Sequence, residues 1–423
     1  MKTLYLDNYK GFVNSYIPFY DVNFFVGENS TGKTAILNLL DLLSSPRFWI
    51  VPEFNTDVIE LGYFDEIVNS YSKDRSYFTI GIEGKEKKGK NSKRYFWMKF
   101  KRRNALPLLS EYMSIIEDKS VLVSLNGKSI KYQLRDFQGE SFQEWVEARS
   151  TFTTPKKRIS QPFTNIPFAI IRGLVLSEIK GNPELDKPSE ALFGPTFNNN
   201  FYSLAPIRAR AQRSYEAFRQ NFSREGDHIP NVLREIYSHR DKNEDSKFEE
   251  ALTNFGKESG LFDSISIDAY GKSKGSPFTI NVLYNSLRLN ITNVGYGVSQ
   301  VMPLLVEIIT SKGETFSIQQ PEVHLHPRAQ AAFGELLYTS AVENKNNFFV
   351  ETHSEYTINR FRYKLNKTTE KATIKSQVLF FERTETGTHA TSLEFNEMGQ
   401  HIGELPDAYS KFFIDEELKM LEI

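Results

Sequence analysis

The sequence contains no cysteine. That excludes disulfides, thiol catalysis and Cys-ligated zinc or iron–sulfur clusters, and it suits a reducing compartment. No run of about 18 apolar residues occurs, so no transmembrane helix is expected. The first residues, MKTLYLDNYKGF, alternate apolar and polar and lack the apolar block of a signal peptide. Neither sign of charge is in excess: 52 Lys and Arg against 53 Asp and Glu leave a formal net charge of −1. No global field therefore draws the chain to nucleic acid or membrane, and any such contact must come from a local patch. Internal repeats and sustained heptads are missing too, which disfavours solenoids and long coiled coils. A cytoplasmic protein is expected.

What is present is length and aromatic content. The chain has 423 residues, 34 of them Phe and 20 Tyr, enough for two or three domains and a sizeable core. Residues 2–6 and 22–26 read as short strands. From Thr34 the apolar residues Ile36, Leu37, Leu39, Leu40, Leu42 and Leu43 predict a helix with a broad buried face. A second compact stretch runs from about Phe278 to Glu382, with strands at 316–318 and 347–352 and helices from Arg328 and Glu355. Between these lie alternating strands at 77–103 and a hairpin at 121–134, with Asn126-Gly127 as its expected type I′ turn. Residues 205–260 read as mostly helical, with the polar stretch 240–250 in an exposed helix or loop. The expected fold is α/β, a nucleotide-binding head of mixed sheet and helices split by a long β-plus-helical insertion. Its expected boundaries are 1–75, 76–277 and 278–423.

Residues 27–34 read GENSTGKT and follow the strand VNFFV. This is G-x-x-x-x-G-K-[ST] in the strand–loop–helix context that a phosphate-binding loop requires. Gly27 and Gly32 let the backbone curl, and the N–H groups of Glu28, Asn29, Ser30 and Thr31 line the curve. The helix N-terminus adds a favourable field for a β-phosphate. Lys33 is expected to bridge β- and γ-phosphates, and the Thr34 hydroxyl to ligate Mg²⁺. Nucleotide binding, as ATP or GTP, follows from this octamer.

Later segments narrow the class. GYGVSQ (295–300) precedes an apolar helix, and FSIQQPEVHLHPRAQ (316–330) and FFVETHSEY (348–356) follow. Their order resembles the signature, Walker B, D-loop and switch histidine of ABC-type ATPases. It resembles more closely the OLD-like (overcoming lysogenization defect) branch and the stand-alone ATPase subunits of the PARIS, Septu and retron-associated antiphage systems. The resemblance covers roughly 1–70 and 280–423 and touches PIRARAQRSYEAF (206–218) and REGDHIPNVL (224–233). It implies ATP as ligand and a homodimer of heads, with higher assemblies open. Ser299 and the Gly297 backbone would then meet the γ-phosphate in trans. His353 would contact that phosphate and orient water, and His324 and His326 would serve the dimer interface, His326 at the usual D-loop aspartate position. A zinc site on the two histidines competes with that reading but lacks a clear third ligand.

One departure from the branch bears on chemistry. Where it carries an acid, then Glu or Gln, then Pro-Glu, this chain has Gln319-Gln320-Pro321-Glu322. By that alignment Gln319 falls where a carboxylate helps hold Mg²⁺ and Gln320 where a water-polarising Glu often sits. A neutral amide neither balances the metal nor accepts a proton, and Glu322 is the carboxylate left to substitute. Either a Glu→Gln exchange, at Gln319 since Gln320 also occurs in the branch, traps the ATP-bound dimer, or ATP is natively a slow or structural ligand. Strong ATP binding and poor hydrolysis are expected either way. For a Q-loop the segment ELGYFDEIV (60–68) offers Asp65 or Glu66.

Two basic stretches remain. Lys85 to Arg103 holds ten Lys and Arg against Glu86, interleaved with Tyr95, Phe96, Trp97 and Phe100. It reads equally as an edge hairpin guarded by Lys or as a DNA contact. Arg208, Arg210, Arg213, Arg219 and Arg224 form a second cluster on an expected helix. No nuclease motif is visible, and the residues after His353 leave no room for the TOPRIM domain of OLD nucleases. The resemblance therefore implies a separate nuclease effector, a phage-protein trigger and no membrane contact. The alternative is a RecF- or Rad50-like DNA repair ATPase. A transporter subunit is disfavoured by the long insertion. The C-terminal LPDAYSKFFIDEELKML is expected to pack on the core.

Overall fold

A computed structural model describes residues 1–84, 93–116, 118–126, 129–159, 167–180, 200–216, 221–238, 244–273, 275–367 and 374–413. The chain divides into two compact units, each assembled from several segments. Residues 1–19, 28–200 and 381–392 form the first, and 20–27, 201–380 and 393–423 the second. The stretch 76–277 is thus shared, with 76–200 in the first unit and 201–277 in the second.

The first unit is built on an antiparallel sheet. Its strands are β1 (Thr3–Asp7) and β2 (Ser15–Pro18) and, after β3 (Val22–Gly27) of the second unit, β4 (Tyr77–Gly84), β5 (Arg94–Arg103), β6 (Leu106–Ile116), β7 (Lys119–Leu125), β8 (Ile130–Asp136) and β9 (Lys157–Ile159). They lie in the order β2-β1-β4-β5-β6-β7-β8-β9. Both faces of its middle are buried. On one, Phe78 and Phe100 stack at 5.1 Å and Phe96 meets Trp49 at 5.1 Å. On the other, Tyr5, Tyr95, Trp97 and Met113 pack with Phe142 and Trp145, and the Trp145 indole donates to Ser120 Oγ at 2.9 Å. The period of two along β5 thus feeds two aromatic layers. The helix Lys33–Ser44 buries the six apolar residues its spacing predicts.

The second unit carries β10 (Phe201–Leu204), β11 (Ser264–Ala269), β12 (Phe278–Tyr284), β13 (Leu287–Asn290), β14 (Thr315–Gln319) and β15 (Asn347–Glu351). The chain then forms β16 (Ser376–Thr384) and β17 (Gly387–Glu394). One sheet has the order β10-β14-β15-β3-β16-β17 and another β11-β12-β13. β10, β14, β15 and β3 pair in parallel. Such strands are covered on both faces and read as continuous apolar runs, as VNFFVG does. Their core is shared with the helices Tyr296–Thr310, Pro327–Thr339 and Glu355–Lys367. Among the described residues, no helix is long and apolar enough to cross a membrane.

Three expectations need correction. Among the described residues of 205–260, only Ile229–Ser238 and Glu244–Ser259 are helical. The described part of 205–228 is irregular because its backbone bonds elsewhere: Ala209 N–H donates to the Glu225 carbonyl, and Tyr215 exchanges both backbone bonds with Phe278. Arg208, Arg210, Arg213 and Arg224 are therefore not on a helix, and Arg219 lies outside the described residues. The hairpin pairs Leu125 with Ile130, so its connection spans 126–129 and not two residues. Asn126 closes it by accepting from Ser129 N at 2.8 Å, while Gly127 lies outside the described residues. Of the basic stretch, 85–92 also lie outside them. Lys93 donates to the carbonyls of Gly139 and Glu140, Lys99 sits 4.3 Å from the Tyr77 ring, and Arg102 pairs with Asp65.

The segment ahead of residue 414 packs as expected. Tyr409 is buried, and Phe412 and Phe413 lie on the core of the second unit. Beside Tyr409, at 5.5 Å, stands His401. Burial, reinforced by the Arg362 guanidinium, pushes its imidazole down to about 4. A depressed folded value means that the unfolded chain takes up the proton first. Stability contributed by neutral His401 is thus lost as pH falls from about 6.5 to about 4. Denaturant melts across that window are expected to fall less steeply for His401→Phe than for the unaltered chain.

Candidate functional site

In the first unit, the phosphate-loop sequence makes a tight curl. Gly32 has φ +89°, and a Cβ there would stand 2.8 Å from the Phe12 ring. Glycine is needed on both counts. Glu28, Asn29, Ser30 and Thr34 are exposed, whereas Thr31 and Lys33 are buried. The Glu28 carbonyl accepts from the Thr31 hydroxyl at 2.8 Å and from the Lys33 ammonium at 2.6 Å. The cation is thereby held on the inside of the curl, beside the helix N-terminus.

In the second unit, the carboxyl ends of three parallel strands coincide. Gln319 of β14 is in register with Glu351 of β15, and Glu351 with Phe25 of β3. In parallel α/β sheets ligands bind at such ends, and β3 runs through Gly27 into the loop. Beyond the row the chain turns sharply. Gln320 has φ +43° and His324 φ +66°, and Gln320 N–H donates to the Glu351 carbonyl at 2.8 Å.

Both oxygens of Glu322 accept hydrogen bonds. One carboxylate oxygen accepts from the Thr352 hydroxyl at 2.9 Å and the other from the His353 backbone N–H at 2.7 Å. It fixes the turn that presents His353, whose ring stands 6.1 Å from Phe412. His326 acts locally as the N-cap of Pro327–Thr339, its Nδ1 accepting from Ala329 N. His324 sets its ring edge-on to Tyr296 at 4.7 Å. Among the described residues no group of three His, Cys, Asp or Glu is arranged to hold a metal ion.

GYGVSQ forms the N-cap and first turns of Tyr296–Thr310. The Ser299 hydroxyl donates to the Tyr296 carbonyl at 2.8 Å. Gly297 gives room: a Cβ would lie 2.6 Å from the His324 carbonyl oxygen, whereas one at Gly295 would meet nothing within 4 Å. Gly297→Ala is therefore expected to destabilise the protein by about 1–3 kcal/mol through overpacking. Gly295→Ala should stay within about 0.5 kcal/mol. Urea unfolding of the two variants checks this, and equal midpoints would refute the close approach.

Three further groups were not assigned from sequence. Arg208 is 2% exposed. Its guanidinium donates to the Gln300 carbonyl at 3.3 Å and the Gln319 carbonyl at 3.2 Å, while the Gln300 amide brackets the Arg208 backbone. Burial lowers its pKa to about 10, opposed by Glu322. His228 Nδ1 accepts from Ser223 N, so Nε2 carries the proton shared with Glu307 at 2.5 Å. Glu351, 6% exposed, ends β15. Only its place two residues before His353 marked it in the sequence. Asp65 and Glu66 are engaged locally, Asp65 with Arg102 and Glu66 with Tyr63 N–H in a capping box.

The family described as AAA ATPase domain matches residues 1–358, and the chain belongs to it. It is an α/β P-loop ATPase. No curated protein matches it. Among solved structures, an SMC head bound to the C-winged helix domain of ScpA is 13% identical, with 94% of this chain and 98% of that one covered at a TM-score of 0.43. The SMC head domain from Thermotoga maritima is also 13% identical, with coverages of 93% and 98% and a TM-score of 0.40.

Proposed function

We propose that this chain is the regulatory ATPase of a prokaryotic antiphage system, an ATP-closed dimer of heads that holds and releases a separate nuclease. The observation that carries the ATP half is the phosphate loop, which continues directly in sequence from β3. The defence half rests on the resemblance of PEVHLHPRAQ and ETHSEY to the OLD-like branch. By the resemblance, Lys33 and the loop N–H groups would hold the β- and γ-phosphates, Thr34 and the Gln319 position would serve Mg²⁺, and His353 would orient the attacking water. Gly297 and Ser299 meet the nucleotide of the partner subunit. Bound Mg²⁺ would neutralise phosphate charge. Hydroxyl and amide oxygens fit this hard cation, which keeps several waters and takes further ligands from the phosphates. With amides at both 319 and 320 there is no strong base, and turnover is slow.

Sizing the protein with and without ATP, alone and co-expressed with the neighbouring genes of its own operon, tests this reading. ATP is expected to double the mass and a nuclease to co-purify. A chain that stays monomeric in ATP, captures no second chain and binds duplex DNA with steep salt dependence would be a repair ATPase instead.

A further inference from the structure

We propose that a cleft in the second unit takes a free ribonucleotide, through residues of which none belongs to the phosphate loop. The inference goes beyond the ATPase reading and stands without it.

Size and walls are the first ground. The cleft holds about 360 Å³, within the roughly 300–1,000 Å³ of small-molecule sites. One wall is the irregular segment Ala209 to Glu216, and another is the start of the helix Ile229–Ser238. A third is one face of the helix Tyr296–Thr310, where Ser299, Met302 and Pro303 stand at i, i+3 and i+4. Pro303 has no N–H to give to the Ser299 carbonyl four residues earlier, so that carbonyl lacks its usual helical donor.

Charge is the second. Arg210, Glu216 and Asp227 line the cleft and are exposed. Among the described residues, the side chains of Arg210 and Glu216 make no hydrogen bond or ion pair. Asp227 accepts from the Ser223 hydroxyl with one oxygen, at 3.0 Å. One cation and two carboxylates that do not neutralise one another suit a ligand that brings an anion together with hydroxyl donors. A guanidinium grips a phosphate with paired N–H bonds, and a carboxylate accepts from ribose hydroxyls, as it does in dinucleotide folds.

A fixed aromatic plane is the third. Tyr215 stacks on Phe278 at 5.6 Å and exchanges both backbone bonds with it, and its hydroxyl accepts from Gln212 N–H at 2.9 Å. A ring so held on the wall of a cleft offers a base a surface to stack on at little cost in ordering. Ile280, Ile291 and Met302, all buried, add apolar surface to the lining. Phosphate on Arg210, ribose on Glu216 and Asp227 and base on Tyr215 make the assignment.

Equilibrium dialysis of radiolabelled AMP against the Lys33→Ala chain tests it, because the phosphate loop is disabled there. One AMP is expected to bind per chain, and adding Arg210→Gln should weaken it at least about tenfold. 2′-Deoxy-AMP should bind about tenfold less tightly than AMP. That preference should vanish when Glu216→Gln and Asp227→Asn are added together. All three side chains are exposed, so urea midpoints are expected to stay level. No AMP bound in the millimolar range overturns the assignment. So does an affinity indifferent to Arg210→Gln, or equal binding of the two nucleotides. AMP that binds the unaltered chain but not Lys33→Ala belongs to the phosphate loop and overturns it as well. Comparing ATP binding by the unaltered and Lys33→Ala chains tests the phosphate loop separately, so the two readings fail independently.

Discussion

Gln319→Glu is expected to raise steady-state ATP turnover about 100-fold, the lower end of what a placed general base or charge partner contributes. Glutamate is near-isosteric with glutamine, so no repacking opposes the exchange. The backbone at 319 is already held, its carbonyl by the Arg208 guanidinium and its register by Glu351. That guanidinium is buried and positive, and it favours the ionised form of a new carboxylate beside it. Phosphate release by the two proteins, measured with the oligomeric state in ATP, distinguishes the two explanations of the glutamine. A variant that turns over while the unaltered chain only assembles identifies a trapped switch. Turnover absent from both, with ATP still ordering the assembly, makes nucleotide a structural ligand, and the prediction of a restored ATPase is then wrong.

Lys33→Ala is expected to weaken ATP binding about 100-fold. Hydrogen bonds to charged groups contribute about 1.5–3 kcal/mol each, and tenfold in affinity is about 1.4 kcal/mol. Loss of one or two at the phosphates accounts for the factor. Lys33 is 3% exposed, with its ammonium on the Glu28 carbonyl, so Lys33→Met serves as the control that retains the buried stem. Both variants should lose binding alike in a fluorescent nucleotide titration. Retained affinity in Lys33→Met would show that the charge is not what holds the phosphates.

Much of the second unit was legible because parallel strands announce themselves as short apolar runs. VNFFV, FSI and NFFVE became β3, β14 and β15 within a residue or two of their expected limits. The helix after the phosphate loop was equally plain from its leucines. What stayed hidden depends on pairing between distant segments. Nothing local in PIRARAQ says that Arg208 turns inward to the Gln300 and Gln319 carbonyls, more than 90 residues away. The reading of that segment as helix failed for the same reason, since its backbone partners are Glu225 and Phe278. Composition likewise cannot reveal that Glu322 accepts one O–H and one N–H, from Thr352 and His353.

Arg208 has a mechanical consequence. Its one planar side chain grips the carbonyl of Gln300, in the helix that begins at Tyr296, and the carbonyl at the tip of β14. These two points cannot drift apart by an ångström without stretching a bond to a buried cation. Ile207, the residue just before it, is 75% exposed. Whatever grasps Ile207 from outside therefore pulls, one peptide link further in, on a yoke that joins the helix from Tyr296 to the end of β14. Force applied at the surface would be delivered to the helix and the strand together, as to two horses in one harness.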